Sequence, residues 1–112
     1  MSKIYGYARI STQKQNIERQ KRNIRAFCKD AIIIEEIFTG NSITRPLFDK
    51  LIAKIKSGDT IIFDSVSRMS RNAEEGIRLY KELYNRGVNL VFLKEPLINT
   101  ETYRHGNLSQ GA

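Results

Sequence analysis

Arg9 and Ser11 stand two residues apart at the end of the apolar run Ile4–Ile10, inside the hexapeptide Tyr7-Ala8-Arg9-Ile10-Ser11-Thr12. Side chains alternate along a strand, so a guanidinium and a hydroxyl at this spacing leave the backbone on the same side. Open α/β sheets place ligands outside the carboxyl ends of their strands, where rigid elements hold accessible loop residues. A hydroxyl beside a fixed cation there suits an anionic target. Thr12 with Gln15 also reads as a helix-capping box and Ser11 alone as a turn residue, but the capping role leaves Arg9 and Ser11 free.

More arginines recur at comparable places. Arg45 precedes Pro46 at a loop-to-helix junction, and Arg68 and Arg71, three apart and so close to one helical turn, follow the apolar run Thr60–Phe63. The set is a nucleophile ringed by cations. Attack on a phosphodiester builds negative charge on the equatorial and departing oxygens, which guanidinium forks stabilise by bidentate contact better than lysine does. An acyl-transfer triad needs a histidine base, and the single histidine, His105, lies in a polar C-terminal stretch. A two-metal nuclease needs carboxylates clustered at the strand ends, and one cysteine, Cys28, with one histidine cannot build a zinc site. Neither metal nor cofactor is expected. Covalent phosphoryl transfer to Ser11 fits these residues best.

Four apolar runs must position this set: Ile4–Ile10, 32–38, Thr60–Phe63 and 88–93. They alternate with stretches of helical period, which predicts crossover helices on a parallel sheet. The expected fold is a three-layer α/β sandwich around a mostly parallel sheet of at least four strands. The runs 31–34 and 60–63 show little polar alternation, as strands covered on both faces do, which argues against an exposed edge. A first helix is expected over 13–29 with Ile17, Ile24, Phe27 and Cys28 inward. Residues 13–30 carry Lys14, Arg19, Lys21, Arg22, Arg25 and Lys29 against Glu18 and Asp30, a solvated basic face. A second helix starts at Pro46 after Thr44, buries Leu47, Leu51, Ile52 and Ile55, and ends at Gly58, with Asp59 opening the third strand. Asn72 and Glu75 read as a capping box for a third helix that carries Ile77, Tyr80, Leu83 and Tyr84 and ends at Gly87. The chain turns polar after Pro96, so 98–112 is expected to be a loose tail.

The 112 residues suit one domain, with 19 Lys and Arg against 12 Asp and Glu, a net charge of +7. The pI near 9.8 points to a polyanion, with nucleic acid as the leading candidate and an anionic membrane surface as its competitor. No apolar run reaches spanning length and no signal-peptide pattern opens the chain, so a soluble, cytoplasmic protein with no membrane partner is expected.

In this order, Tyr7-Ala8-Arg9-Ile10-Ser11-Thr12 with Gln15 and Gln20, Arg45-Pro46, Lys54, Gly58-Asp59 and Arg68-Met69-Ser70-Arg71 resemble the catalytic domain of the serine recombinases, the resolvase and invertase family, over about residues 3–97. The resemblance implies that Ser11 becomes joined to a DNA 5′ phosphate while Arg9, Arg45, Arg68 and Arg71 hold that phosphate. It casts Tyr7, Gln15, Gln20, Lys54 and Asp59 in support, and places the carboxylate that is usually Asp in the family, four residues before Gly40, at Glu36, with Glu35 as the adjacent alternative. It also implies homo-oligomers, dimers and tetramers on paired sites, and a prokaryotic or mobile-element origin. The sequence departs from the family at Ser67, where an aspartate is common, and lacks the long dimer-forming helix and the DNA-reading domain expected after Asn99. A flavodoxin- or receiver-like binding domain shares the alternating pattern, but its loops are acidic or glycine-rich where these carry arginine. A catalytically silent recombinase fragment acting as an interaction module is the other alternative.

Overall fold

The apolar runs form four strands, β1 (Ile4–Ile10), β2 (Ile32–Ile37), β3 (Thr60–Phe63) and β4 (Asn89–Phe92), in a computed structural model that describes residues 2–10, 17–37, 45–70 and 72–105. Between them run helices α1 (Ile17–Phe27), α2 (Pro46–Lys54) and α3 (Ala73–Asn85), followed by a short α4 (Thr100–His105). Every pairing is parallel and the order is β2-β1-β3-β4. This is the expected three-layer α/β sandwich. The even face of β1 and β3 meets α1, where Ile24 packs with Ile62 and Ile17 with Ala8 and Ile10. The odd face meets α2 and α3 through Tyr5, Tyr7, Ile61 and Phe63 against Phe48, Leu51 and Leu83.

The register decides where the site can lie. Tyr7 pairs with Phe63 as the last rung of β1 on β3, while on the other side β1 pairs with β2 as far as Ile10 with Ile37. Ala8, Arg9 and Ile10 therefore overrun the end of β3, at the point where strand order changes direction and ligands are usually received.

Several expectations are corrected. β2 is an edge strand, with Ile32 and Ile37 about half exposed, at 49% and 48%. An unbroken apolar run identifies a strand but not its place in the sheet; of the two runs, it is β3 that is covered on both faces, Ile61, Ile62 and Phe63 having no exposed surface. On α1 the inward residues are Ile17, Gln20 and Ile24, whereas Phe27, at the helix end, is exposed beside Ile4 and Cys28. On α2 the expected Leu51 and Ile55 are buried and Ile52 packs against the core, but in the first turn it is Phe48 that is buried while Leu47 is exposed. On α3 Ile77 faces out and the buried positions are Gly76 and Leu83, with Tyr80 and Tyr84 half buried.

Residues 98–105, expected to be loose, are held by polar groups as well as by Ile98, which packs against the core. Asn99 Oδ1 and Thr100 Oγ1 accept the N–H groups of Phe92 (2.6 Å) and Leu90 (2.9 Å), closing the outer edge of β4. The Tyr80 hydroxyl donates to the carbonyl of Ile98 at 2.6 Å. Pro46 opens α2 and Asn72 Oδ1 caps α3 by accepting the Glu75 N–H at 2.8 Å, as expected. Gly87, with φ of +84°, ends α3 in the left-handed region that side chains avoid, whereas α2 stops earlier than expected, at Lys54 with an extended Ile55, and Gly58, at φ +95°, shapes the turn that leads into β3. Ser11, Thr12, Gln13, Lys14, Gln15, Thr44, Arg71 and 106–112 lie outside the described residues.

Candidate active site

Three arginines from three elements meet beyond the end of β3. Arg9 is on β1, Arg45 immediately precedes α2, and Arg68 ends the short 3₁₀ turn Val66–Arg68 after β3. Backbone carbonyls tie them together: Arg9 Nη2 donates to Ser67 O at 3.1 Å, Arg68 Nη1 donates to Arg9 O at 3.3 Å, and Arg45 Nη1 donates to Met69 O. Arg45 is only 8% exposed and its guanidinium carbon lies 4.2 Å above the Phe48 ring, a cation–π contact that adds to its hold. The Nε–H of Arg68 is buried without an acceptor among the described residues. A buried guanidinium donor left open toward a site is suited to an oxyanion.

Beneath the arginines lies a buried acid. Glu36, on β2, is 3% exposed and accepts three hydrogen bonds, from the Tyr7 hydroxyl (2.7 Å) and from the N–H groups of Leu47 and Phe48 (3.0 Å each). The last two are donors that a helix N-terminus leaves without partners, so Glu36 caps α2 from outside, where Arg45 offers no side-chain cap. Arg45 is thus fixed at the base of α2 by a residue of the neighbouring strand. Tyr7 has no exposed surface, and burial first, then its hydrogen bond to Glu36, pushes the phenol far above its ordinary range. It remains a proton donor to Glu36 at any physiological pH.

Gln20 serves Arg9 directly. Its side-chain amide accepts the Arg9 N–H and donates to the Arg9 carbonyl, both at 3.0 Å, standing in for the peptide that a longer β3 would have supplied. The close seating of α1 depends on Gly6, where an added Cβ would come within 2.6 Å of Ile24 Cγ2.

Of the positions singled out from sequence, Arg9, Arg45, Arg68, Tyr7, Gln20 and Glu36 are brought together; Ser11 follows Ile10 in the chain and, with Gln15 and Arg71, falls outside the described residues. Lys54 and Asp59 are placed elsewhere. The Lys54 ammonium lies 5.5 Å from the ring centre of Tyr5, toward the amino end of β1. Asp59, before β3, accepts the N–H groups of Lys3 (2.8 Å) and Lys56 (3.0 Å), which hold its carboxyl below the ordinary range. Both belong to the opposite end of the sheet.

Sequence reasoning assigned no role to Asp64, Asn23, Lys94 and Glu95, which surround the arginine turn. Asp64 is buried, accepts from Asn23 Nδ2 at 2.9 Å and pairs with Lys94 Nζ at 3.3 Å. A carboxylate directly after a fully apolar strand was a usable signal; Glu95 gives none, because its contact is long-range. Ser67, in place of the family's usual aspartate, lies with its hydroxyl 2.8 Å from that of Ser65. Among the described residues no group of three or more His, Cys, Asp or Glu could hold a metal ion, and no helix is long and apolar enough to cross a membrane.

Known proteins resemble the chain over most of its length. Residues 4–110 match the family described as "Resolvase, N terminal domain". The chain is 37% identical over 103 residues to the transposon Tn552 resolvase of Staphylococcus aureus, covering 92% of this chain and 52% of that protein. It is 34% identical over 99 residues to the transposon Tn501 resolvase of Pseudomonas aeruginosa (85% and 49%), and 36% over 95 residues to the serine recombinase PinR of Escherichia coli (80% and 48%). The chain thus spans about half the length of these curated relatives. Its fold is similar to that of a resolvase family site-specific recombinase from Streptococcus pneumoniae, with a TM-score of 0.66 at 24% identity over 90% of this chain and 77% of that one. A serine recombinase from Sulfolobus solfataricus gives 0.67 at 22% identity, over 83% and 69%. The chain belongs to the resolvase N-terminal domain family.

Proposed function

We propose that this chain is the strand-cleaving domain of a site-specific DNA recombinase that works through a phosphoserine intermediate. The observation that carries the reading is the convergence of Arg9, Arg45 and Arg68, from three separate elements, at the end of β1 just before Ser11 in the chain. Ser11 Oγ attacks the scissile phosphorus as the bond to the 3′ oxygen breaks; the serine is left on the 5′ phosphate, and the proton it loses balances the one gained by the 3′ hydroxyl. The guanidinium groups, with Arg71, neutralise the charge that develops on the phosphoryl oxygens. Rejoining reverses the step with a different 3′ hydroxyl, so the energy of the phosphodiester is conserved without a nucleotide cofactor or a metal. The partners are double-stranded DNA and further copies of the protein, as dimers and as tetramers on paired sites, in the cytoplasm of a cell carrying a mobile element.

The test is a cleavage assay with the domain joined to a DNA-reading domain. Ser11→Ala is expected to abolish the trapped protein–DNA adduct while leaving DNA binding in place, and excess chelator is expected to leave cleavage by the unaltered protein intact. An adduct that survives Ser11→Ala removes Ser11 as nucleophile, and activity lost to chelator and restored by magnesium favours a nuclease instead.

A further inference from the structure

Arg68 rides on a 3₁₀ turn of three residues, and Ser65, at its start, provides no side-chain cap. Such a turn has strained hydrogen-bond geometry and little hold on its own orientation. Its orientation is set from outside. The chain leaving β4 runs beside the turn: Leu93 N–H donates to Phe63 O (3.0 Å) and Lys94 N–H to Asp64 O (3.1 Å). The next residue, Glu95, half buried, accepts the N–H of Val66 through Oε1 at 2.9 Å. A carboxylate at the open N–H end of a helical turn is favoured by charge as well as by the hydrogen bond. Glu95 thus supplies the cap that Ser65 does not, two residues ahead of Arg68.

We infer that Glu95 is a positioning residue for strand transfer: by holding the first N–H of the arginine turn it sets the direction from which the Arg68 guanidinium reaches the scissile phosphate. This role rests on the recombinase reading above, in which Glu95 touches neither DNA nor the reacting atoms. Displacement of a charge-stabilising group by about an ångström costs on the order of a hundredfold in rate, so a cap one element away is able to matter.

Glu95→Ala and Glu95→Gln separate positioning from simple stability, because the amide oxygen of glutamine accepts the same N–H without the charge. In the domain joined to a DNA-reading domain, Glu95→Ala is expected to slow adduct formation by about ten- to a hundredfold with DNA affinity unchanged, and Glu95→Gln to recover most of the rate. In the 112-residue chain, the Nε–H resonance of Arg68 should move in Glu95→Ala and return toward its original position in Glu95→Gln. Wild-type cleavage by Glu95→Ala, an unmoved Arg68 resonance, or rate losses that simply follow lowered melting in both variants would each overturn the role of Glu95 alone. Failure of the unaltered protein to form any adduct overturns the recombinase reading, and with it this role.

Discussion

The three arginines differ in how firmly they are held, and that difference predicts what each substitution does. Arg45 is 8% exposed, bonded to Met69 O and stacked on Phe48, so its removal disturbs packing as well as charge. Arg68 is half buried, with a single contact to Arg9 O at 3.3 Å and a free Nε–H among the described residues, so its truncation should act chiefly on chemistry. Arg68→Ala is expected to slow adduct formation by on the order of a hundredfold or more with the melting temperature little changed, and lysine to rescue only in part because it lacks the planar fork. Kinetics on a DNA site, paired with thermal melting, checks both; cleavage at the wild-type rate would reduce Arg68 to a surface cation. The Tyr7–Glu36 pair sits below the arginines as their support. Its phenol stays protonated, so it cannot be the base that receives the Ser11 proton.

Elements place these residues through contacts of very different legibility. The alternation of apolar runs and helices, Pro46 at a helix start, the Asn72 cap and the Gly87 stop could all be read from local chemistry, and they gave the layers and the strand ends. Helix phase at Leu47 and Phe48 could not, because adjacent apolar residues satisfy the helical period equally well until the sheet selects one. Nor could the edge position of β2, which depends on strand order, or the anchoring of 98–105, which uses Asn99 and Thr100 where composition counts only apolar residues. Gln20 was recognisable only by resemblance, since its partner is the backbone of Arg9. Gln20→Ala removes the side-chain acceptor of the Arg9 N–H and one of the two donors to the Arg9 carbonyl, and should cost about 1–3 kcal/mol, measurable by urea unfolding, together with slower cleavage. Asp59 makes the opposite prediction, stability without chemistry. The N–H of Lys3, then that of Lys56, lowers its pKa on folding, so its contribution is present above the unfolded carboxyl range and is lost as pH falls through the folded value. Asp59→Asn should therefore melt earlier at neutral pH, approach the unaltered protein in acid, and leave the cleavage rate of the folded fraction untouched.

At the scale of the whole molecule the dominant property is charge. The excess of +7 is spread over the surface, and among the described residues Lys21 is tied to Glu18 and Glu35 and Lys94 to Asp64, so much of the basic character is solvated or paired locally. The arginine site is the concentration of cations whose hydrogen bonds run to carbonyls rather than to carboxylates at Arg45 and Arg68. Contacts with phosphate position a protein on DNA without reading its sequence, and each one releases a counterion. The 112-residue chain is accordingly expected to bind duplexes of any sequence alike, with affinity falling steeply as salt rises. If three arginines meet phosphates, the slope of log K against log salt should be about −2.7, a loss of roughly fortyfold between 50 and 200 mM. Arg68→Ala should flatten that slope by about one unit, whereas loss of the exposed Lys50 on α2, outside the site, should leave it alone. A titration at several salt concentrations, with a recombination-site duplex and a scrambled one, measures the slope and the specificity together. Equal slopes for the two variants would mean that DNA lies over the general surface rather than over the arginines, and preference for the recombination site at physiological salt would show that the chain reads bases as well as phosphates.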